Sequence, residues 1–127
     1  MAAAGTHDIV IDQGATWQLN VTWQDSTGTG IDLSGASISA QVRTAPADEG
    51  GDVLADMALE SLLLPNDTGI SVQDAAAGDF LLQISSDDTE GMPAGSWHWD
   101  VEVTISSQTT RLLMGRAVVR AEVTRAS

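Results

Sequence analysis

His7 and His98 are the only imidazoles in the chain, and there is no cysteine. His98 stands two residues before Asp100, so on a strand both side chains share one face. That spacing could orient an imidazole for general-base work. It fits equally a pair of solvated side chains on a polar strand face, the commoner case. No nucleophile supports the catalytic reading. Gly95-Ser96-Trp97 lacks the G-x-S-x-G pattern that sets a serine on a strained elbow. Asp87, Asp88 and Glu90 offer the oxygen ligands that calcium takes, but not at EF-hand spacing, and such acids also cap short helical turns. Gly28-Thr29-Gly30 has no helix after it that could hold a phosphate. The chain has 18 acids, enough for a glycosidase pair, yet nothing singles one out. Its four tryptophans could line a sugar site, but all four fall on the apolar phase of alternating segments, where a core role is expected. Asn20-Val21-Thr22 and Asn66-Asp67-Thr68 match the glycosylation acceptor pattern. The opening Met1-Ala2-Ala3-Ala4-Gly5 has neither the basic nor the long apolar region of a secretion signal, so both are read as chance matches. The residues thus point to no catalytic group, no metal and no cofactor.

These groups sit in a chain of 127 residues, the length of one domain, long enough to bury a core without a disulfide or a metal. Five arginines and no lysine face the 18 acids, a net charge of −13. Phosphate backbones and anionic bilayers would repel such a surface, so neither nucleic acid nor membrane is an expected partner. No apolar run approaches the roughly 18–20 residues needed to span a bilayer. One domain over residues 1–127 is expected, with residues 1–6 as a flexible N-terminal segment.

The elements that must position the side chains are strands. Apolar and polar residues alternate with period two, the signature of half-buried β-structure. Trp17, Leu19, Val21 and Trp23 share one face; so do Ala36, Ile38, Ala40 and Val42; so do Trp97, Trp99, Val101, Val103 and Ile105. Phe80, Leu82 and Ile84 form a shorter set. Leu113, Ala117, Val119, Ala121 and Val123 make a last inner face, with Arg116, Arg120 and Glu122 opposite. Turn formers separate these runs, as in Asp25-Ser26-Thr27-Gly28, Asp32-Leu33-Ser34-Gly35, Asn66-Asp67-Thr68-Gly69 and Pro93-Ala94-Gly95. Apolar faces of this kind need a partner sheet. The spacing predicts an all-β, two-sheet antiparallel sandwich, Ig-like or jelly-roll-like, of about seven to nine strands. Val53–Leu64 fits a strand or a short helix, and the reading leans to a strand over Val53–Leu59.

Charge is segregated along the chain. No basic residue lies between Arg43 and Arg111, a stretch that holds most of the acids, and four of the five arginines fall in the last 17 residues. Arg111, Met114, Arg116, Val118, Arg120 and Arg125 are therefore the candidate subunit interface. In an acidic chain, a basic strip can meet the acidic surface of a neighbouring copy. The same arginines can instead pair within the chain, across strands to Asp100 or Glu102. Exposed Met114 and Val118 between them favour an interface.

The order of these segments resembles small virion proteins of tailed bacteriophages. Asp8-Ile9-Val10-Ile11-Asp12-Gln13-Gly14-Ala15-Thr16-Trp17 is followed by a Gly-rich turn and Asp32-Leu33-Ser34-Gly35. Then come Ile38–Arg43, Pro93-Ala94-Gly95-Ser96-Trp97-His98-Trp99-Asp100-Val101, Leu113-Met114-Gly115 and a closing Thr124-Arg125. The pattern is similar to the β-sandwich domain at the N-terminus of upper baseplate proteins, with Trp97 and Trp99 where tyrosines stand. The resemblance spans His7 to Arg125. It implies a structural protein of the virion, assembled in the host bacterial cytoplasm, that docks copies of itself and other virion proteins in the baseplate or tail-fibre attachment region. A capsid cement or decoration protein is the alternative, and a carbohydrate-binding module a more distant one.

Overall fold

A computed structural model of the chain describes residues 5–45 and 49–121. The elements run β1 (Gly5–Thr6), β2 (Ile9–Asp12), β3 (Trp17–Thr22), β4 (Ser37–Arg43), β5 (Val53–Ala58), β6 (Gly69–Asp74), β7 (Asp79–Ile84), α1 (Ser86–Glu90), β8 (Gly95–Ile105) and β9 (Gln108–Arg120). They form an all-β sandwich. A six-stranded sheet has the order β1-β9-β8-β4-β5, with β2 beside β1 along the same edge of β9. A three-stranded sheet has the order β3-β7-β6.

Alternation decides which residues enter the core. Ile38, Ala40 and Val42 of β4, Trp99, Val101 and Val103 of β8, and Ala117 and Val119 of β9 are buried from the large sheet. Val21, Ile70, Phe80, Leu82 and Ile84 meet them from the small one. Each such aliphatic or aromatic side chain contributes about 1.5–3 kcal/mol when taken out of water. Trp17 and Trp99 meet edge to face, with ring centroids 6.4 Å apart, and Trp23 and Trp97 pack half-buried against the same cluster. The region 53–64 resolves into strand through Ala58. Ala55 and Met57 point inward, and the chain then leaves the sheet as a loop.

Three features depart from the alternation reading. First, the large sheet is mixed. β1 and β2 run parallel to β9, with Gly5 opposite Leu113 and Ile9 opposite Ala117. Parallel neighbours need a long connection, and here nearly the whole chain lies between β2 and β9. Second, the segment expected to be flexible through residue 6 is already strand at Gly5–Thr6. The His7 amide continues that pairing by donating to the Met114 carbonyl at 2.9 Å. Two residues are too few to show a period. Third, Ala121 is exposed, so the inner face of β9 ends at Val119; Val123 lies outside the described residues.

The Asp87/Asp88/Glu90 cluster builds the short helical turn α1. The Ser85 hydroxyl caps it by accepting from the Asp88 amide at 3.2 Å. Buried Thr89 ties the turn to the β2–β3 connection by donating to the Ala15 carbonyl at 2.8 Å. Gln13 adds a second tie, its amide donating to the Met92 carbonyl at 2.8 Å.

The arginine-bearing outer face, a candidate subunit interface

The outer face of the large sheet is set by register. β8 is its axis, with Ser96, His98, Asp100, Glu102 and Thr104 pointing away from the core. Across β4, His98 faces Arg43, Asp100 faces Gln41 and Glu102 faces Ser39. Across β9, His98 faces Arg116, Asp100 faces Met114 and Ser96 faces Val118. Beyond β9, β2 sets Val10 opposite Val118 and Asp12 opposite Arg120.

Arg111 reaches this face through a bulge. Val101 pairs with Leu113 and Glu102 with Arg111, so Leu112 is an extra residue in β9. Strict alternation would point the odd-numbered Arg111 away from the even-numbered Met114, Arg116, Val118 and Arg120. One inserted residue reverses the phase, because side chains in a strand have period two. Thr110 consequently turns inward on one side of the bulge, and Ala117 and Val119 on the other. All four arginines among the described residues, Arg43, Arg111, Arg116 and Arg120, thus project from one face. Arg125 lies outside the described residues.

The arginines differ in their partners. The Arg120 guanidinium donates through Nε and Nη2 to the two oxygens of Asp12, at 2.6 and 3.1 Å, and so staples β2 to β9. Those hydrogen bonds hold the Asp12 carboxyl below its ordinary range and push Arg120 up. Arg111 Nε lies 3.3 Å from Asp100 Oδ2, the cross-strand pairing anticipated for it. Burial raises Asp100 above its ordinary value; Arg111 opposes that rise, Glu102 adds to it and Arg43 opposes it. Arg43 donates to the Gln41 side chain and to the Gly51 carbonyl, each at 2.8 Å. Arg116 has no carboxylate partner among the described residues. Its guanidinium reaches only the Ser96 hydroxyl, at 3.4 Å, while its amide is held by Asp8 Oδ1 at 3.0 Å.

A groove of about 580 Å³ crosses this face, lined by Arg43, Glu49, His98, Asp100, Arg111 and Met114 among others. Charges of both signs line it. His98 lies in register between Arg43 and Arg116, and Asp100 takes Arg111 as its partner. The two therefore do not form the oriented imidazole–carboxylate pair that their spacing allowed. No group of three or more metal-ligating side chains converges among the described residues.

Beside the groove lies an apolar strip. Val10, Met114 and Val118 are 49%, 43% and 37% exposed, and Val10 and Val118 are direct cross-strand neighbours. Five of the six expected interface residues therefore meet on one surface. Sequence reasoning left out Arg43, His98 and Val10. Arg43 closes the polar face of β4, so the signal was present, but its relevance depends on β4 pairing with β8. Val10 needed the parallel β2–β9 pairing. No helix among the described residues is long and apolar enough to cross a membrane. Comparison of the sequence with models of known protein families and with curated proteins found no match.

Proposed function

We propose that the chain is a structural protein of a bacteriophage virion, in the baseplate or tail-fibre attachment region, and that it works by subunit docking. One observation carries the docking role. Every described arginine of a chain with net charge −13 stands on one sheet face, beside a strip of exposed valine and methionine. A face that carries arginines beside an apolar strip can approach another acidic subunit without the repulsion that the rest of the surface imposes. The virion setting rests on the resemblance of the segment order from His7 to Arg125. In this reading the partners are copies of the chain and other virion proteins, no residue is catalytic and no cofactor is needed.

A capsid decoration role is the second reading, favoured by the strong acidity of the surface beyond this face. Carbohydrate binding is disfavoured because Trp17, Trp23, Trp97 and Trp99 all pack on the core cluster instead of forming an open aromatic platform.

Quantitative mass spectrometry of purified particles tests the proposal, counting this chain against the major capsid protein. A few copies per hundred capsid subunits is the expected result. A ratio near one to one would select the decoration role, and absence from particles would overturn both. Arg116→Glu with Arg120→Glu should weaken incorporation while the isolated domain still folds. Normal incorporation of that double variant would remove the arginine face from the proposal.

A further inference from the structure

A second apolar surface lies where the chain leaves β5 and crosses to the small sheet, with Leu59 bridged to Ile70 of β6. The loop after β5 exposes Leu59, Leu62 and Leu64 at 38%, 69% and 51%. It is built to hold them there. Gln83, 3% exposed, donates its side-chain amide to the carbonyls of Leu64 and Asp67 at 2.9 and 2.7 Å. The Leu64 amide donates to Asp67 Oδ2 at 2.9 Å, the Asp67 amide returns to the Leu64 carbonyl at 3.0 Å, and Pro65 lies between them. Glu60 donates its amide to the Ile70 carbonyl at 2.9 Å and leaves its carboxylate without an ion pair among the described residues. Leucines on a loop already ordered lose little further freedom on docking, which favours binding.

The two surfaces are complementary. The strip at β2 and β9 offers Val10, Met114 and Val118 beside Arg116, an arginine with no carboxylate partner among the described residues. The leucine loop offers Leu59, Leu62 and Leu64 beside Glu60, a carboxylate with no cation partner among the described residues. One copy cannot join its own halves, because β8 and β4 stand between β9 and β5. Three strand spacings put β5 about 14 Å from β9, and the loop leaves β5 for β6 and β7 of the small sheet. We infer that the leucine loop of one copy docks on the Val10–Met114–Val118 strip of the next, with Glu60 meeting Arg116. The two patches differ, so the contact is heterologous. It propagates head to tail and closes into a ring or runs on as a filament, according to the rotation between copies. This deepens the docking role proposed above by naming the partner as a second copy and the surfaces it uses.

Complementary variants of the full chain test it. Leu62→Ser with Leu64→Ser removes the loop's apolar surface, and Met114→Ser with Val118→Ser removes the strip's; all four residues are exposed, so both variants should fold. Sedimentation velocity over a concentration series should show self-association of the wild type and loss of it in each variant alone. An equimolar mixture of the two variants retains one intact loop and one intact strip, and should give a one-to-one dimer that grows no further. A mixture that stays monomeric while the wild type associates would overturn the heterologous contact, as would a wild type that is monomeric throughout the series. Arg116→Glu should abolish association and Glu60→Arg in the same chain should restore it; failure of that rescue would remove the ion pair from the contact. Circular dichroism confirms folding in each case. These outcomes are independent of copy number in particles. A monomeric protein found in virions overturns this inference alone, and a self-associating protein absent from virions overturns only the virion role.

Discussion

Arg111 and Asp100 stand 3.3 Å apart on the outer sheet face because Leu112 is an extra residue in β9. The pairing does not fully compensate Asp100, since burial raises its carboxyl above the ordinary value despite the arginine. The folded state therefore holds this proton more tightly than the unfolded chain does. Stability falls as pH rises from the unfolded value near 3.8 through the raised folded value, and the loss is complete above it. Asp100→Asn removes that dependence. Thermal melts from pH 3 to pH 6 should show the variant gaining on the wild type as pH increases. A difference that moves the other way would mean that Arg111 outweighs burial at this site.

Asp12 has the opposite sign. Hydrogen bonds from Arg120 lower its folded value, so its contribution is present above about pH 3.8 and is lost as pH falls through the lowered value. Both side chains are more than half exposed, at 52% and 64%, so the effect is small and screened by salt. Asp12→Asn should lower the melting temperature slightly at pH 7 in low salt. The difference should shrink with added salt and vanish in acid. A deficit of the same size at every pH and salt concentration would assign Asp12 a packing role instead.

The β8–β9 hairpin turns on Ser106 and Ser107, with φ of 50° and 68°. Two successive residues in the left-handed region match the right-handed twist of the flanking strands, but the geometry favours Asn-Gly over Ser-Ser. Replacing Ser106 and Ser107 with Asn and Gly should stabilise the domain by about 1 kcal/mol. Chemical denaturation measures it through a higher midpoint at unchanged slope. A lower midpoint would show that the serine side chains make a contribution greater than the strain.

The hairpin also shows where the sequence stops being legible. Period-two alternation located the long strands and the inward phase of all four tryptophans, because burial imposes that pattern directly. Ser106-Ser107 is a poor turn signal, so the Trp97–Ile105 run and the Arg111–Val123 run did not announce themselves as one hairpin. The insertion at Leu112 is likewise silent. An extra residue in a strand is recognisable only against the partner strand, and the face of Arg111 depends on it. The parallel placement of β2 was hidden for a related reason. Ile9 and Ile11 mark an inward face, but nothing local tells which edge it joins. Charge segregation was readable because only five basic residues exist. Its gathering on one surface required β4, β8 and β9 to be neighbours.

Gln83 shows how far a single buried polar group reaches in this fold. Its side chain accepts from the Gln18 amide at 2.6 Å and donates to two loop carbonyls, so it joins β3, β7 and the leucine loop. Gln83→Leu keeps the volume but takes the side-chain donor from the Asp67 carbonyl and leaves the Leu64 carbonyl with the Asp67 amide alone. A buried acceptor stripped of its partner costs about 1–3 kcal/mol; these carbonyls are only part-buried, so a loss toward the lower end of that range is expected in denaturant melts. Amide hydrogen exchange should quicken over residues 59–68 while the β8–β9 hairpin stays protected, since the hairpin's hydrogen bonds do not pass through Gln83. Unchanged exchange in the loop would mean that the Leu64–Asp67 turn holds the leucines in place unaided.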